Sequence, residues 1–321
     1  MNKKSITRKL SLKYLFKWLT YRWQRLFCPV YKQNWIILFR YTKALGDNLF
    51  LSTLAHEIKK RNPHSVIHVI TGLPVLFNRN PNVDFVSPEP QKPTPHMGKY
   101  LLHYESAFPW KRNILHYCLD QVGIKDVSDQ ELKTYIYPDD SDYNYIDQLL
   151  GHLKSERIIV ITTIAGPRSD KKNWPIEYWK ELSARLLDDG NVIVKIGLHY
   201  DGIEDISFSH PKFLDLTGKI SIHQSAALMS CAHLSICPVT GVLHLAAAFD
   251  LPSLAIVGGS EPGIATQFSH GHYIENRPAC ADCYEKGPCL NNIKCLTEIS
   301  PDMVYEKALA LMGKNGGRKL P

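Results

Sequence analysis

The sequence predicts an α/β protein made of two doubly wound halves that face each other across a central cleft. Three observations carry this. Short apolar runs alternate with helical segments along nearly the whole chain, the alternation restarts after a polar stretch from Pro138 to Glu156, and 321 residues suit two domains at the usual ~100–200 residues each. Strand, helix, strand alternation implies parallel sheets with right-handed crossovers, and ligand then lies at the carboxyl ends of the strands.

The first series opens with the apolar run Trp35 to Phe39, which suits a buried parallel strand; the loop Arg40 to Asp47 and a helix over Asn48 to Arg61 follow. Val66 to Ile70 reads as the next strand. Val83 to Val86 and Leu101 to Tyr104 are further candidate strands around the Pro-rich loop Pro88 to Pro95, and Trp110 to Val122 is helical. A helix over Tyr143 to Leu153 lies in the polar stretch. The second series runs strand Arg157 to Thr162, helix Ile176 to Leu187 after Trp174-Pro175, strand Asn191 to Ile196, helix Ser221 to Cys231, strand Leu234 to Cys237, helix Val242 to Phe249 and strand Ser253 to Val257. Ser300 caps a last helix, Asp302 to Met312, with Pro301 at its first position. The expected division is a basic segment at 1–33, an N-terminal domain at 34–150 and a C-terminal domain at 151–321.

Composition narrows the function. Residues 1–46 hold eleven basic and no acidic residues, which leaves 27 basic against 31 acidic residues in the rest, so the globular body is mildly acidic. A nucleic-acid reader carries its basic stripe on the folded domain, so nucleic acid is not an expected partner. Leu12, Leu15, Phe16, Leu19, Trp23 and Leu26 form one helical stripe, with Lys9, Lys13, Lys17 and Arg25 on the other side. That pattern suits an anionic membrane surface, or alternatively a helix packed on the protein's own core. No apolar run is long enough to span a bilayer and no secretory signal is evident, which sets the expectation of a cytoplasmic protein, peripheral on the inner face of the cell membrane.

Neither GxGxxG after a strand nor GxxxxGK[ST] occurs, so hydride transfer and ATP cleavage lose their simplest support. What remains are loops at strand ends. Thr240 and Gly241 precede a helix, where backbone N–H groups and the positive dipole end favour a phosphate, although Thr-Gly is also an ordinary cap and tight turn. Arg168 to Pro175 is a cationic loop after another strand, and Asp47 adjoins a helix start, where it serves either as a cap or as a reactive carboxylate.

Together, Ala44-Leu45-Gly46-Asp47, Lys172-Asn-Trp174-Pro175, Asp215-Leu-Thr-Gly218 and the run from Thr240-Gly241 through His244 resemble the ordered motifs of glycosyltransferase family 9, the lipopolysaccharide heptosyltransferases. The resemblance extends from about Trp35 to the C-terminus. It implies a GT-B fold, an acceptor-binding N-terminal domain and a nucleotide-sugar-binding C-terminal domain. It further implies inversion at the anomeric carbon, no cofactor and no catalytic metal, a donor that is ADP-linked heptose, and a lipopolysaccharide-core or other lipid-linked glycan acceptor. On this pattern Asp47 is the general base on a loop facing the cleft, and Lys172 holds the donor diphosphate together with Thr240, Gly241 and Val242. His244 either bonds phosphate or packs. Near Gly197, Asp201 or Glu204 occupies the place of the family's ribose-binding carboxylate. Where the family has aspartate before Thr-Gly, this chain has Val239, which supports an alternative: a catalytically impaired transferase-like protein that binds a glycolipid or nucleotide.

Cys280, Cys283, Cys289 and Cys295 leave three readings open: a structural metal site, paired thiols or surface thiols. Cys28, Cys118, Cys231 and Cys237 have apolar neighbours and read as packing residues. The last helix is expected to return to the first domain, as in many GT-B proteins.

Overall fold

The computed structural model describes residues 30–40, 42–88, 102, 104–166, 170–284 and 287–314. The amphipathic stripe, Cys28, Arg168, most of the Pro-rich loop and the basic tail lie outside the described residues. The first half holds β1 (Trp35–Arg40), α1 (Leu45–Arg61), β2 (Val66–Thr71), β3 (Phe85–Pro88) and α2 (Ile114–Val122). Its three strands are parallel in the order β1-β2-β3, with Trp35 opposite Val66 and Arg40 opposite Thr71. Leu102 donates its amide to Phe39 O at 3.1 Å and so lies beside β1, but the described residues of that candidate strand, Leu102 and Tyr104, form no strand.

After α3 (Asp140–Leu150), the second half comprises β4 (Ile158–Ile161), α4 (Ile176–Asp188), β5 (Val192–Lys195), β6 (Phe213–Asp215), α5 (Ile222–Cys231), β7 (Leu234–Pro238), α6 (Gly241–Ala248), β8 (Ser253–Val257), β9 (Gly271–Glu275) and α7 (Pro301–Lys314). All six strands are parallel in the order β6-β5-β4-β7-β8-β9. Every residue of β4, β5, β7 and β8 is buried, as expected for a sheet covered on both faces. The strand order reverses between β4 and β7, and the loops leaving their carboxyl ends open the crevice where doubly wound sheets bind ligands. Two of these strands, β6 and β9, are absent from the sequence reading: β6 has three residues, and β9 alternates weakly as a half-exposed edge.

Local chemistry sets the helix ends. Capping boxes start α3 (Asp139 with Asp142) and α5 (Ser221 with Gln224). Trp174 is buried, donates its ring N–H to Ile299 O at 2.9 Å and lies edge-on to Trp179, so Trp174-Pro175 does launch α4. The expectation for the last helix is overturned: α7 packs on α4 and on β7 and β8 of its own half, burying Val304, Ala308, Leu311 and Met312 beside Trp179 and Leu186. Its apolar face matches that groove, and Arg185 pairs with Asp302 across it.

The two halves meet through α1 and α6. Buried residues surround α1 from Asn48 to Ala55, because one side covers the first sheet and the other faces α6. A single apolar core joins Leu49, Phe50 and Leu54 to Val242, Leu245, Ala246 and Phe268. The approach is close enough to require glycine twice. A Cβ on Gly46 would lie 2.4 Å from His244 Cδ2, and one on Gly241 would lie 2.5 Å from Leu45 Cβ. Adding that methyl overpacks the contact, so Gly46→Ala is expected to lower stability by about 1–3 kcal/mol in urea denaturation. Gly313→Ala, whose Cβ would enter open space, is expected to leave it near wild type.

Candidate active site

The site begins with α1. The helix starts at Leu45, three residues earlier than its sequence pattern indicates, so Asp47 sits in the first helical turn rather than on the preceding loop. Asn48 causes the early start. Its buried side-chain amide donates to Thr42 O at 2.9 Å and Ala44 O at 2.8 Å and accepts from the Thr71 hydroxyl, pinning the loop to the end of β2. Asp47 therefore leaves the helix at a set angle with its carboxylate partly exposed.

Both Asp47 oxygens have partners. Arg40, at the end of β1, donates from Nη2 to Oδ2 at 3.2 Å, and the Tyr104 hydroxyl donates to Oδ1. Arg40 is itself buried. It donates to Leu102 O at 2.6 Å, bonds Glu105 and lies 4.5 Å from the Tyr104 ring centroid. Burial opposes its charge, but the Glu105 bond and the Tyr104 and Asp47 oxygens outweigh burial and raise its pKa. Burial also acts on Glu105, yet the Arg40 bond holds it below the usual carboxylate range. Burial, followed by the Asp47 charge, pushes Tyr104 well above its ordinary value, so this hydroxyl is a donor at neutral pH. Each carboxylate oxygen retains a lone pair for an incoming hydroxyl. The sequence reading gave no site role to Arg40, Tyr104 or Glu105: Tyr104 reaches Asp47 across 57 residues of chain and Glu105 reaches Arg40 across 65, and no local pattern marks them.

Across from this group are the loops after β4, β7 and β8. Thr240 caps α6, its Oγ accepting the Val242 amide at 3.3 Å, and Gly241 takes the first helical position. Lys172, in the loop after β4, pairs with Glu261 at 2.7 Å. His244 is buried between Gly46, Phe50 and Phe268, which is the packing alternative. Tyr284 ties the groups together. Its hydroxyl is pushed up first by burial, then by the charges of Glu105 and Glu261, with Lys172 and Asp47 also acting on it. Lys172 and Glu261 of the second half and Asp47 and Glu105 of the first thus lie around the Tyr284 hydroxyl. Tyr284 stacks near Phe108 and Trp110 of the first half at 4.7 and 5.3 Å between centroids.

The structure does not bring Glu204 to these groups. Glu204 is 68% exposed and pairs with Lys180 of α4 at 3.1 Å; Asp201 is likewise exposed. The carboxylate of that loop that turns inward is Asp205, which bonds the Thr163 hydroxyl and the buried Lys195 at 2.8 Å, while Lys195 also meets Asp215 at 3.0 Å. Val239 packs with Cys237, Leu243, Ala255 and Val257. Among the cysteines, Cys118, Cys231 and Cys237 are buried thiols, and Cys280, Cys283, Cys289 and Cys295 are free, which removes the paired-thiol reading. Among the described residues no three His, Cys, Asp or Glu side chains gather to hold a metal ion.

Two halves, each built on a parallel sheet, with the loops at their strand ends turned toward each other, have the architecture of the GT-B class of two-domain fold. Residues 110–294, more than half of the chain, match the family model of glycosyltransferase family 9 (heptosyltransferase), and the chain belongs to that family. It is 25% identical over 164 residues to lipopolysaccharide heptosyltransferase 1 of Escherichia coli, covering 50% of this chain and 49% of that protein. The chain thus spans about half the length of the curated relatives it matches. Its fold is similar to that of E. coli ADP-heptose lps heptosyltransferase II (TM-score 0.65, 16% identity, 88% of this chain and 100% of that one). It is also similar to the iron-containing dodecameric glycosyltransferase TibC from enterotoxigenic E. coli (TM-score 0.64, 17% identity, 87% and 76% covered).

His244 reports on this interface through its titration. Burial, with the Lys172 charge second, lowers it from 6.5 to about 3. Below about 6.5 the unfolded chain takes up a proton that the folded chain refuses. The His244 contribution is therefore complete above that pH and is lost as pH falls toward about 3, at about 1.4 kcal/mol per unit. His244→Phe is expected to flatten the acid limb of stability against pH by that slope, as measured by urea denaturation across the window.

Proposed function

We propose that the chain is an inverting sugar transferase that moves heptose from an ADP-linked donor to a lipopolysaccharide-core or related glycolipid acceptor. The observation that carries this reading is the placement of Asp47, held by Tyr104 and Arg40, beside the gap bordered by Lys172 and the Thr240 turn. In the proposed reaction an acceptor hydroxyl bonds an Asp47 oxygen and gives up its proton as its oxygen attacks the anomeric carbon from the face opposite the diphosphate. The bond from that carbon to the leaving phosphate oxygen breaks, and the nucleoside diphosphate departs with the electron pair. Lys172 stabilises the charge that grows on it, aided by the amide dipoles of the first turn of α6. Arg40 and Tyr104 orient the base without touching the sugar. The donor's identity follows the family membership and the ADP-heptose named for the structurally similar heptosyltransferase II.

A thermal-shift screen of ADP, UDP, GDP and CDP with their sugar conjugates tests the donor class, since a ligand that binds only the folded form raises apparent stability by mass action. Asp47→Asn is expected to lower transfer by ~10²–10⁴ while leaving nucleotide binding intact, because general-base catalysis contributes on that order. Unchanged transfer by this variant would exclude Asp47 as base. Nucleotide binding by the wild type without turnover would instead favour the impaired-transferase alternative, which the apolar seat of Val239 motivates.

The basic segment at 1–33 is proposed to hold the protein at an anionic bilayer surface, where a lipid-linked acceptor resides. Among the described residues no helix is long and apolar enough to cross a membrane. Removing residues 1–32 is expected to abolish co-sedimentation with phosphatidylglycerol vesicles, and retention by the truncated protein would count against the segment.

A further inference from the structure

Glu261 is a buried carboxylate that neither the sequence motifs nor the reaction above uses. It follows β8, whose carboxyl end lies beside that of β7, with Pro238 opposite Ile256. The loops carrying Val239 and Glu261 therefore leave the sheet as neighbours. Where Val239 joins the apolar patch, Glu261 turns to Lys172, its side chain only 7% exposed and 2.7 Å from Nζ.

The loop around Glu261 is clamped. A Cβ on Gly258 would lie 2.5 Å from Lys171 O, so the backbone after β8 presses against the backbone that carries Lys172. On its other side, Asp282 N donates to Gly259 O at 2.6 Å and Tyr284 N to Ser260 O at 3.0 Å. Tyr284 then packs on Phe108 and Trp110 of the first half. Glu261 is thus anchored to the floor of the gap and is not a freely rotating surface acid.

A buried carboxylate is costly without a partner. A diphosphate that takes Lys172 strands Glu261 beside a new negative group, and the hydroxyls of an attached sugar are donors that can relieve it. We infer that Glu261 acts as a switching counter-charge of the donor pocket: it neutralises Lys172 when the pocket holds no nucleotide and accepts hydroxyls of the transferred sugar when a nucleoside diphosphate sugar is bound. It supplies the acid that the Val239 position lacks. The bare nucleoside diphosphate left after transfer provides no such donors, so Glu261 reclaims Lys172 and speeds product release. The inference rests on the transferase reading.

Calorimetric titration of ADP, UDP, GDP and CDP, and of their glucose conjugates, into wild type, Glu261→Gln, Lys172→Met and the double variant tests it. Glu261→Gln is expected to bind the bare nucleoside diphosphate roughly tenfold tighter than wild type, in the range of coupling between close buried charges, and its sugar conjugate with little change. In the Lys172→Met background the same substitution is expected to have no such effect. Equal shifts for bare and sugar-bearing ligands, or no tightening in a folded Glu261→Gln protein, would overturn the role of Glu261 and leave the transferase reading standing. Binding of none of the eight ligands by wild type would overturn both.

Discussion

The site depends on the first turns of α1 and α6 lying in van der Waals contact. Two helices joined at their N-termini set Asp47 and the Thr240 turn in one frame, and the contact exists because Gly46 has no side chain where the His244 ring lies and Gly241 has none where Leu45 lies. The continuous apolar core on either side of this crossing makes the frame stiff. The Lys133-Thr134 strap adds to it, accepting from Thr53 of α1 at 2.6 Å and donating from Thr134 to the carbonyl of His244. Cores packed to crystal-like density transmit small displacements instead of absorbing them. The position of the Asp47 carboxylate relative to the Thr240 turn is therefore a property of packing as much as of chemistry.

Charged side chains at the strand ends are matched with opposite charges. Arg40 is shared by Asp47 and Glu105, Lys172 faces Glu261, and Lys195 sits between Asp205 and Asp215. Each cation comes from the carboxyl end of a strand or the loop after it, and each is at least partly withdrawn from water. Pairing offsets the cost of taking these charges out of water. On the proposed transferase reading, the paired cations are already desolvated before a diphosphate arrives, so fixed groups take the place of its hydration.

Several features diverge from what the chain's local patterns indicate, and each divergence has a tertiary cause. Asp47 lies inside a helix because Asn48 reaches the end of a neighbouring strand. The last helix stays with its own half because the groove beside Trp179 fits its apolar face. Glu204 faces outward and Asp205 inward, since the adjacent Lys195 and Thr163 offer partners to only one of two consecutive acids.

The alternation of strands and helices, the places where most elements begin and end, and the loops that carry Lys172 and Thr240 were legible in the sequence. Periodicity, caps and glycine-containing turns act over only a few residues, and that is the range a sequence displays directly. What surrounds those loops was decided by the tertiary structure. Tyr104 against Asp47, Glu105 against Arg40, Glu261 against Lys172 and the burial of His244 against Phe50 are contacts between segments far apart in the chain, which exist only after the two sheets have packed. Hydrogen bonding and desolvation depend on those distances, so the electrostatic character of each site residue belongs to the fold and not to its place in the chain.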